Sequence, residues 1–153
     1  MPEELSFVSG AHNRSMMPAT VIPVLRYPDA IAAATWLCRV FGFAERVRIG
    51  THRVQMSVGA GSFVVAERLR DESLHRDSDY VMVRVRDVDE HCIVARAAGA
   101  HVVIEPETQA YGERQYTAED LIGRRWTFSQ TVDDIDPIDW GGEMRSGVSS
   151  NDS

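Results

Sequence analysis

The sequence predicts an α+β fold built from two copies of one βαβββ module. Three observations carry this reading. Two helical stretches are each opened by an aspartate, Asp29 and Asp87, and each closed by a glycine, Gly42 and Gly99. A β-branched run precedes each helix, and three short runs of strand character separated by turn residues follow it. The matching features lie 57–62 residues apart, from Gly42 to Gly99, Asp29 to Asp87 and Gly61 to Gly123. The unit occurs only twice, so it is a duplicated module and not a solenoid array.

Residues 1–19 show no sustained period and read as a leader. TVIPVLRY (20–27) is the first strand. Pro23 cannot donate to a ladder, which places this strand at an edge or beside a bulge. Pro28-Asp29 opens the first helix, where Ile31, Ala34, Leu37, Cys38 and Phe41 form one apolar face, and Gly42 stops it. FAERVRI (43–49), HRVQMSV (52–58) and SFVVAERL (62–69) follow as a meander through the Gly50-Thr51 and Gly59-Ala60-Gly61 turns. The charged stretch 70–78 reads as a linker.

The order then repeats. DYVMVRV (79–85) is a strand, and Asp87 caps a helix over 87–99 with Val88, Cys92, Ile93, Ala95 and Ala97 among its apolar positions. Ala100 to Ile104 is a strand and Pro106 to Ala110 a loop. YGERQYTAEDLIGRRWTFSQ (111–130) supplies the last two strands around the Asp120–Gly123 turn. Alternation puts Trp126 and Phe128 on one side of the final strand and Arg125, Thr127 and Ser129 on the other. Residues 20–142 thus form a single domain of two modules (20–69 and 79–131), with an acidic fringe before a polar tail from 143.

Composition narrows the function classes. No apolar run approaches the roughly 18 residues that span a bilayer, and the first residues lack the basic start and apolar centre of a signal peptide. No membrane association and a cytoplasmic location are the expectations. A net charge of −7 argues against a general nucleic-acid surface. The 16 basic residues are all arginine, so Schiff-base chemistry on a lysine side chain is excluded. Cys38 and Cys92 each sit inside an apolar helical pattern and read as buried, reduced thiols.

Taken in order, the βαβββ duplication, Trp36-Leu37, Phe41-Gly42-Phe43, Val85 to Asp89, and Gly112, Arg114, Tyr116, Asp120, Gly123, Trp126 and Phe128 resemble the vicinal oxygen chelate superfamily. That group contains glyoxalase I, the bleomycin-resistance proteins and the extradiol dioxygenases. The resemblance covers residues 20–142 and implies strongly curved mixed sheets pairing around a ligand cavity, and a homodimer. One departure is Leu121, where the family's turn usually has proline.

Metal-dependent members of that superfamily carry a ligand on the first strand and another near the last strand of each module. Alignment through the helix starts puts the first-strand positions at Ile22 and Tyr80. Alignment through the Gly61 and Gly123 turns puts the last-strand positions at Val65 and Thr127. None is His, Asp or Glu, the side chains a divalent metal requires besides thiolate. The five histidines (His12, His52, His75, His91 and His101) lie elsewhere and read as structural, with His52 and Glu67 kept as a pair that neighbouring strands could bring together. The expectation is no metal and no cofactor.

With this register the ligand-facing set is Ile22, Phe63, Val65, Glu67, Tyr80, Arg125, Thr127 and Ser129, with Tyr111, Arg114, Tyr116 and Trp36 as further contributors. An apolar wall with a few polar handles is the usual make-up of a small-molecule site. Two function classes follow. One is a binding protein of the bleomycin-resistance type that sequesters an antibiotic-like or aromatic metabolite. The other is a lyase, isomerase or dioxygenase, either metal-dependent with displaced ligands or metal-free, with Glu67, Tyr80 or Glu113 as acid or base.

Overall fold

The computed structural model describes residues 13–19, 21–68 and 79–144. The linker read over 70–78, the start of the leader and the tail from 145 lie outside the described residues. The chain divides into two compact units, Met1–Asp77 and Ser78–Ser153. The first unit runs β1 (Val24–Tyr27), α1 (Ala30–Phe41), β2 (Ala44–Ile49), β3 (Arg53–Val58) and β4 (Gly61–Glu67). The second repeats the order as β5 (Tyr80–Arg84), α2 (Val88–Ala97), β6 (His101–Thr108), β7 (Glu113–Glu119) and β8 (Arg125–Thr131), followed by a 3-10 turn at Pro137–Trp140. Each unit forms a four-stranded mixed sheet, ordered β1-β4-β3-β2 and β5-β8-β7-β6, in which only the first-strand pair is parallel. This is the duplicated α+β fold the sequence predicts. No described helix is long and apolar enough to cross a membrane.

The helices start and stop where the sequence signals them. Asp29 Oδ1 accepts from the Ala32 amide at 3.0 Å, and Asp87 Oδ1 accepts from the Glu90 amide at 3.1 Å. These caps satisfy amides that have no partner inside the helix. Gly42, at φ +82, ends α1 by donating to the Cys38 carbonyl at 3.1 Å. In the second unit Gln130 Oε1 also accepts from the Val88 amide at 2.9 Å, tying the start of α2 to the end of β8.

Each helix covers one side of its own sheet. In the first unit Tyr27, Leu37, Val54, Met56 and Val65 are fully buried. An aromatic chain runs from Trp36 to Phe41, Phe43 and Phe63, with centroid spacings of 5.1, 5.7 and 5.7 Å. In the second unit Val88, Cys92 and Ala95 of α2 share the core with Tyr116, Ala118, Trp126 and Phe128. Cys92 is buried as expected and Cys38 is half-buried; burial pushes both thiols up from the usual thiol range, which keeps them protonated.

Two elements differ from the sequence reading. Strand β6 runs on to Thr108 through Pro106, where a loop is expected. It lies at the sheet edge, and its register shifts between Val102 and Ile104 and between Ile104 and Glu107, so a residue without an N–H is accommodated there. The first strand is shorter than expected, beginning at Val24. Pro23 precedes it, and its carbonyl accepts from the Val64 amide at 2.9 Å.

Candidate functional site

Opposed residues in a ladder share a side of the sheet, so the register assigns every side chain to the helix-covered side or to the open side. In the second unit Thr117 opposes Thr127, Gln115 opposes Ser129, and Tyr80, Met82 and Arg84 oppose Arg125, Thr127 and Ser129. Trp126 and Phe128 are buried with the α2 side. The open side therefore carries Tyr80, Met82 and Arg84 from β5, Glu113, Gln115 and Thr117 from β7, and Arg125, Thr127 and Ser129 from β8. The split of the 125–129 stretch into core and open residues is as the alternation predicts.

The polar groups of this face hold one another in place. The Thr117 and Thr127 hydroxyls are 2.7 Å apart. Tyr111 Oη donates to Gln115 Oε1 at 2.9 Å, Gln115 Nε2 donates to Ser129 Oγ at 3.1 Å, and Ser129 Oγ donates to Glu113 Oε1 at 2.6 Å. Burial pushes the Glu113 carboxyl up, but hydrogen bonds from Ser129 and Thr131 and the charge of Arg84 outweigh it and hold the group below its ordinary value. Glu113 is an ionised acceptor at neutral pH. Around this network stand exposed apolar groups: Tyr80 at 54%, Met82 at 52% and Ile104 at 49%.

An aromatic pair borders the face. The Tyr111 and Trp140 rings lie 5.3 Å apart between centroids. Trp140 belongs to a segment read as acidic fringe. The Val132 and Asp133 amides both donate to the Gly112 carbonyl, at 2.9 and 3.2 Å, and Asp136 caps the 3-10 turn. The Asp136-Pro137 start and Gly141 stop are sequence signals for this turn. Met82 was open to strand alternation counted from Tyr80, whereas the face of Gln115 and Thr117 depends on the β7–β8 register.

Several expected ligand-facing residues lie on the other side. Phe63 and Val65 point into the first unit's core, 5% and 0% exposed, with Val65 opposite Val54 and Phe63 opposite Met56. Glu67 opposes the buried Tyr27 and is exposed at the strand's end. The open-side residues of β4 are Ser62, Val64 and Ala66. Strand pairing explains the slip: Arg26 and Arg84, equivalent through the caps Asp29 and Asp87, pair with Ala66 and Ser129, which lie 63 residues apart, whereas Gly61 and Gly123 lie 62 apart. Alignment on the two turn glycines is therefore one residue out, and a one-residue slip reverses the face. Val64 and Ala66 are the counterparts of Thr127 and Ser129.

Arg114 and Tyr116 are also on the helix side. Arg114 makes a forked ion pair with Asp89 of α2, with Nε–Oδ2 at 3.0 Å and Nη2–Oδ1 at 3.1 Å. Tyr116 is fully buried, stacked on Phe128 at 5.1 Å, with its hydroxyl 2.5 Å from His91 Nδ1. Burial pushes its phenol well up, so it stays protonated. Ile22 packs against the cluster of Met17, Val64 and Ala66, on the helix-free side of its own sheet.

The positions where the resemblance calls for metal ligands are Ile22, Tyr80 and Thr127, with Val64 replacing Val65. Ile22 and Val64 have no donor atoms, and two lone hydroxyls do not make a divalent site. Among the described residues no group of three or more His, Cys, Asp and Glu converges to hold an ion. His52 and Glu67 are ladder neighbours, the Glu67 amide donating to the His52 carbonyl at 2.8 Å, and both are exposed. This donor set does not fit a metal centre.

Comparison with known proteins agrees with this architecture. Residues 20–128 match the Glyoxalase family, described as the Glyoxalase/Bleomycin resistance protein/Dioxygenase superfamily. Among solved structures, TioX from Micromonospora sp. ML1 is 32% identical, with 76% of this chain and 98% of that one covered and a TM-score of 0.61. A glyoxalase/bleomycin resistance protein/dioxygenase family enzyme from Burkholderia phytofirmans PsJN is 20% identical over 71% of this chain and 94% of its own, with a TM-score of 0.61. Hypothetical protein SA1046 from S. aureus is 21% identical over 72% and 91%, with a TM-score of 0.60. The last two speak to the fold alone. No curated protein matches the chain. By its sequence match and its two βαβββ units, this chain belongs to the glyoxalase/bleomycin resistance protein/dioxygenase superfamily.

Proposed function

We propose that this chain sequesters an antibiotic-like or aromatic small molecule on the open side of its second sheet, without a metal and without changing it. The observation that carries the proposal is the make-up of that face. Fixed hydrogen-bonding groups, Thr117–Thr127 and Gln115–Ser129–Glu113, lie among exposed Tyr80, Met82 and Ile104, with Tyr111 and Trp140 at the border. Few polar handles in an apolar, aromatic setting suit binding of a flat, partly polar ligand. The donor set at the family's metal positions supports the metal-free reading.

A metal-free acid/base enzyme on the same face is less well supported. General-base strength at neutral pH calls for a pKa near 7, whereas Ser129, Thr131 and Arg84 hold Glu113 low. Glu67 lies on the other side of its sheet. The proposed protein is a cytoplasmic homodimer, which sedimentation of the full chain would test. The functional test is incubation of chelator-treated protein with a panel of aromatic natural products. Retention of a compound that mass spectrometry then recovers unaltered is the expected result. Conversion that stops with chelator and returns with added metal would replace this reading by a metalloenzyme.

A further inference from the structure

The two sheets are equivalent by topology, yet among the described residues a chain segment crosses the helix-free side of the first. In the first unit residues 14–17 lie across the open side of β3 and β4. Gln55 Nε2 donates to the Ser15 carbonyl at 2.7 Å, and Arg46 Nη2 donates to the Arg14 carbonyl at 2.8 Å. Arg46 Nη1 also donates to Gln55 Oε1 at 2.6 Å, fixing the amide so that its NH₂ faces the segment. Met17 is 5% exposed and packs in a separate apolar cluster with Val64, Ala66 and Ile22.

These groups occupy positions equivalent to the candidate site. Val64 and Ala66 stand where Thr127 and Ser129 stand, and Gln55, opposite Val64, stands where Thr117 stands opposite Thr127. The register of β2 shifts between Glu45 and Val47, so Arg46 sits in a bulge. A bulge re-aims a side chain, and here the guanidinium reaches both Gln55 and the crossing segment.

We propose that the open side of the first sheet is a peptide-binding groove whose occupant is the chain's own residues 14–17. The groove reads two backbone carbonyls through Gln55 and Arg46 and one apolar side chain through the Val64–Ala66 patch. Its ligand class is a short extended peptide bearing methionine or a similar unbranched apolar residue. Two equivalent sheets are thereby made unequal, because the first is closed in cis. This goes beyond the small-molecule reading, and its test has a separate readout.

The test has two arms. In the unmodified full chain under mild peroxide, Met17 should form sulfoxide roughly ten-fold or more slowly than Met16, because oxidation requires local opening of the segment. Equal rates for the two would overturn the proposal. In the second arm a labelled peptide of sequence NRSMMPA is titrated by fluorescence anisotropy against wild-type protein and Met17→Asp. The released groove of Met17→Asp should bind the peptide saturably, wild type should bind it at least about ten-fold more weakly, and adding Gln55→Ala should weaken the Met17→Asp interaction again. Equal affinity for wild type and Met17→Asp, or no binding by Met17→Asp with an unaltered circular dichroism spectrum, would also overturn it. Should Met17→Asp not fold, the oxidation arm on wild type decides.

Discussion

Asp120 shows how much a single side chain organises in the second unit. Its Oδ1 accepts from the Ile122 and Arg124 amides at 3.1 and 3.0 Å, and its Oδ2 accepts from the buried Trp126 indole at 3.0 Å. The turn where Leu121 replaces the family's proline is thus fixed by a carboxylate. Removing an acceptor from these donors costs roughly 2–4 kcal/mol, so Asp120→Ala should lower the urea midpoint by that equivalent and shift Trp126 fluorescence. Asp120→Asn, whose one amide oxygen can serve the backbone amides while its NH₂ is left facing the indole N–H, should recover only part of the loss.

Glu113 gives a pH prediction at the same scale. Its folded-state pKa is held below the ordinary value, by Ser129, Thr131 and Arg84 against its burial. The stability it contributes is therefore present above the unfolded carboxyl pKa and lost as pH falls through the lower, folded value. Ser129→Ala should raise the Glu113 pKa and move that loss to higher pH, read by NMR titration of the Glu113 carboxyl carbon. An unchanged titration would show that Ser129 does not stabilise the anion.

At the scale of elements, the aspartate caps and the Gly42 stop were legible in the sequence because their chemistry is local. Asp29 and Asp87 each accept an amide three residues on. Asp87→Ala should cost about 1 kcal/mol in equilibrium unfolding. Strand faces were legible only where register was counted along one strand. Trp126, Phe128, Thr127 and Ser129 fall where alternation puts them, whereas Phe63 and Val65 do not. Their face depended on matching two turns that differ in length by one residue, Val58 to Gly61 and Asp120 to Arg124, and turn length is not visible from a shared glycine. Pairing across strands also hid Arg114 and Tyr116, whose partners Asp89 and His91 come from α2.

The closing segment of the second unit hinges on Gly112. It has φ +85, and a Cβ there would stand 2.4 Å from the Asp133 carbonyl oxygen. Gly112→Ala should therefore destabilise the fold by roughly 1–3 kcal/mol and release the 132–140 segment. The expected signature is faster amide exchange at Val132 and Asp133, with weakened contact between Trp140 and Tyr111.

At the scale of the whole molecule, duplication supplies two sheets of one topology and sequence makes them differ. The first sheet's open side is apolar at Val64 and Ala66 and covered by residues 14–17; the second is lined by hydroxyls, an amide and an ionised carboxylate. The leader's role was not legible, because Arg46, Gln55 and Met17 meet only after the β2 bulge and the β3–β4 register are set. The aromatic residue best placed to report on the candidate face is likewise Trp140, since Trp126 is fully buried among core residues.

Ligand binding by the second sheet is tested most directly by fluorescence titration of Trp140 in a Trp36→Phe background, with chelator present. A panel of aromatic natural products should include a compound giving saturable quenching, and Tyr80→Ala with Gln115→Ala should weaken its binding at least about ten-fold, equivalent to about 1.4 kcal/mol. Silence across the panel, affinity unchanged by the paired substitution, or a response that arises only on adding metal would contradict metal-free binding at this face.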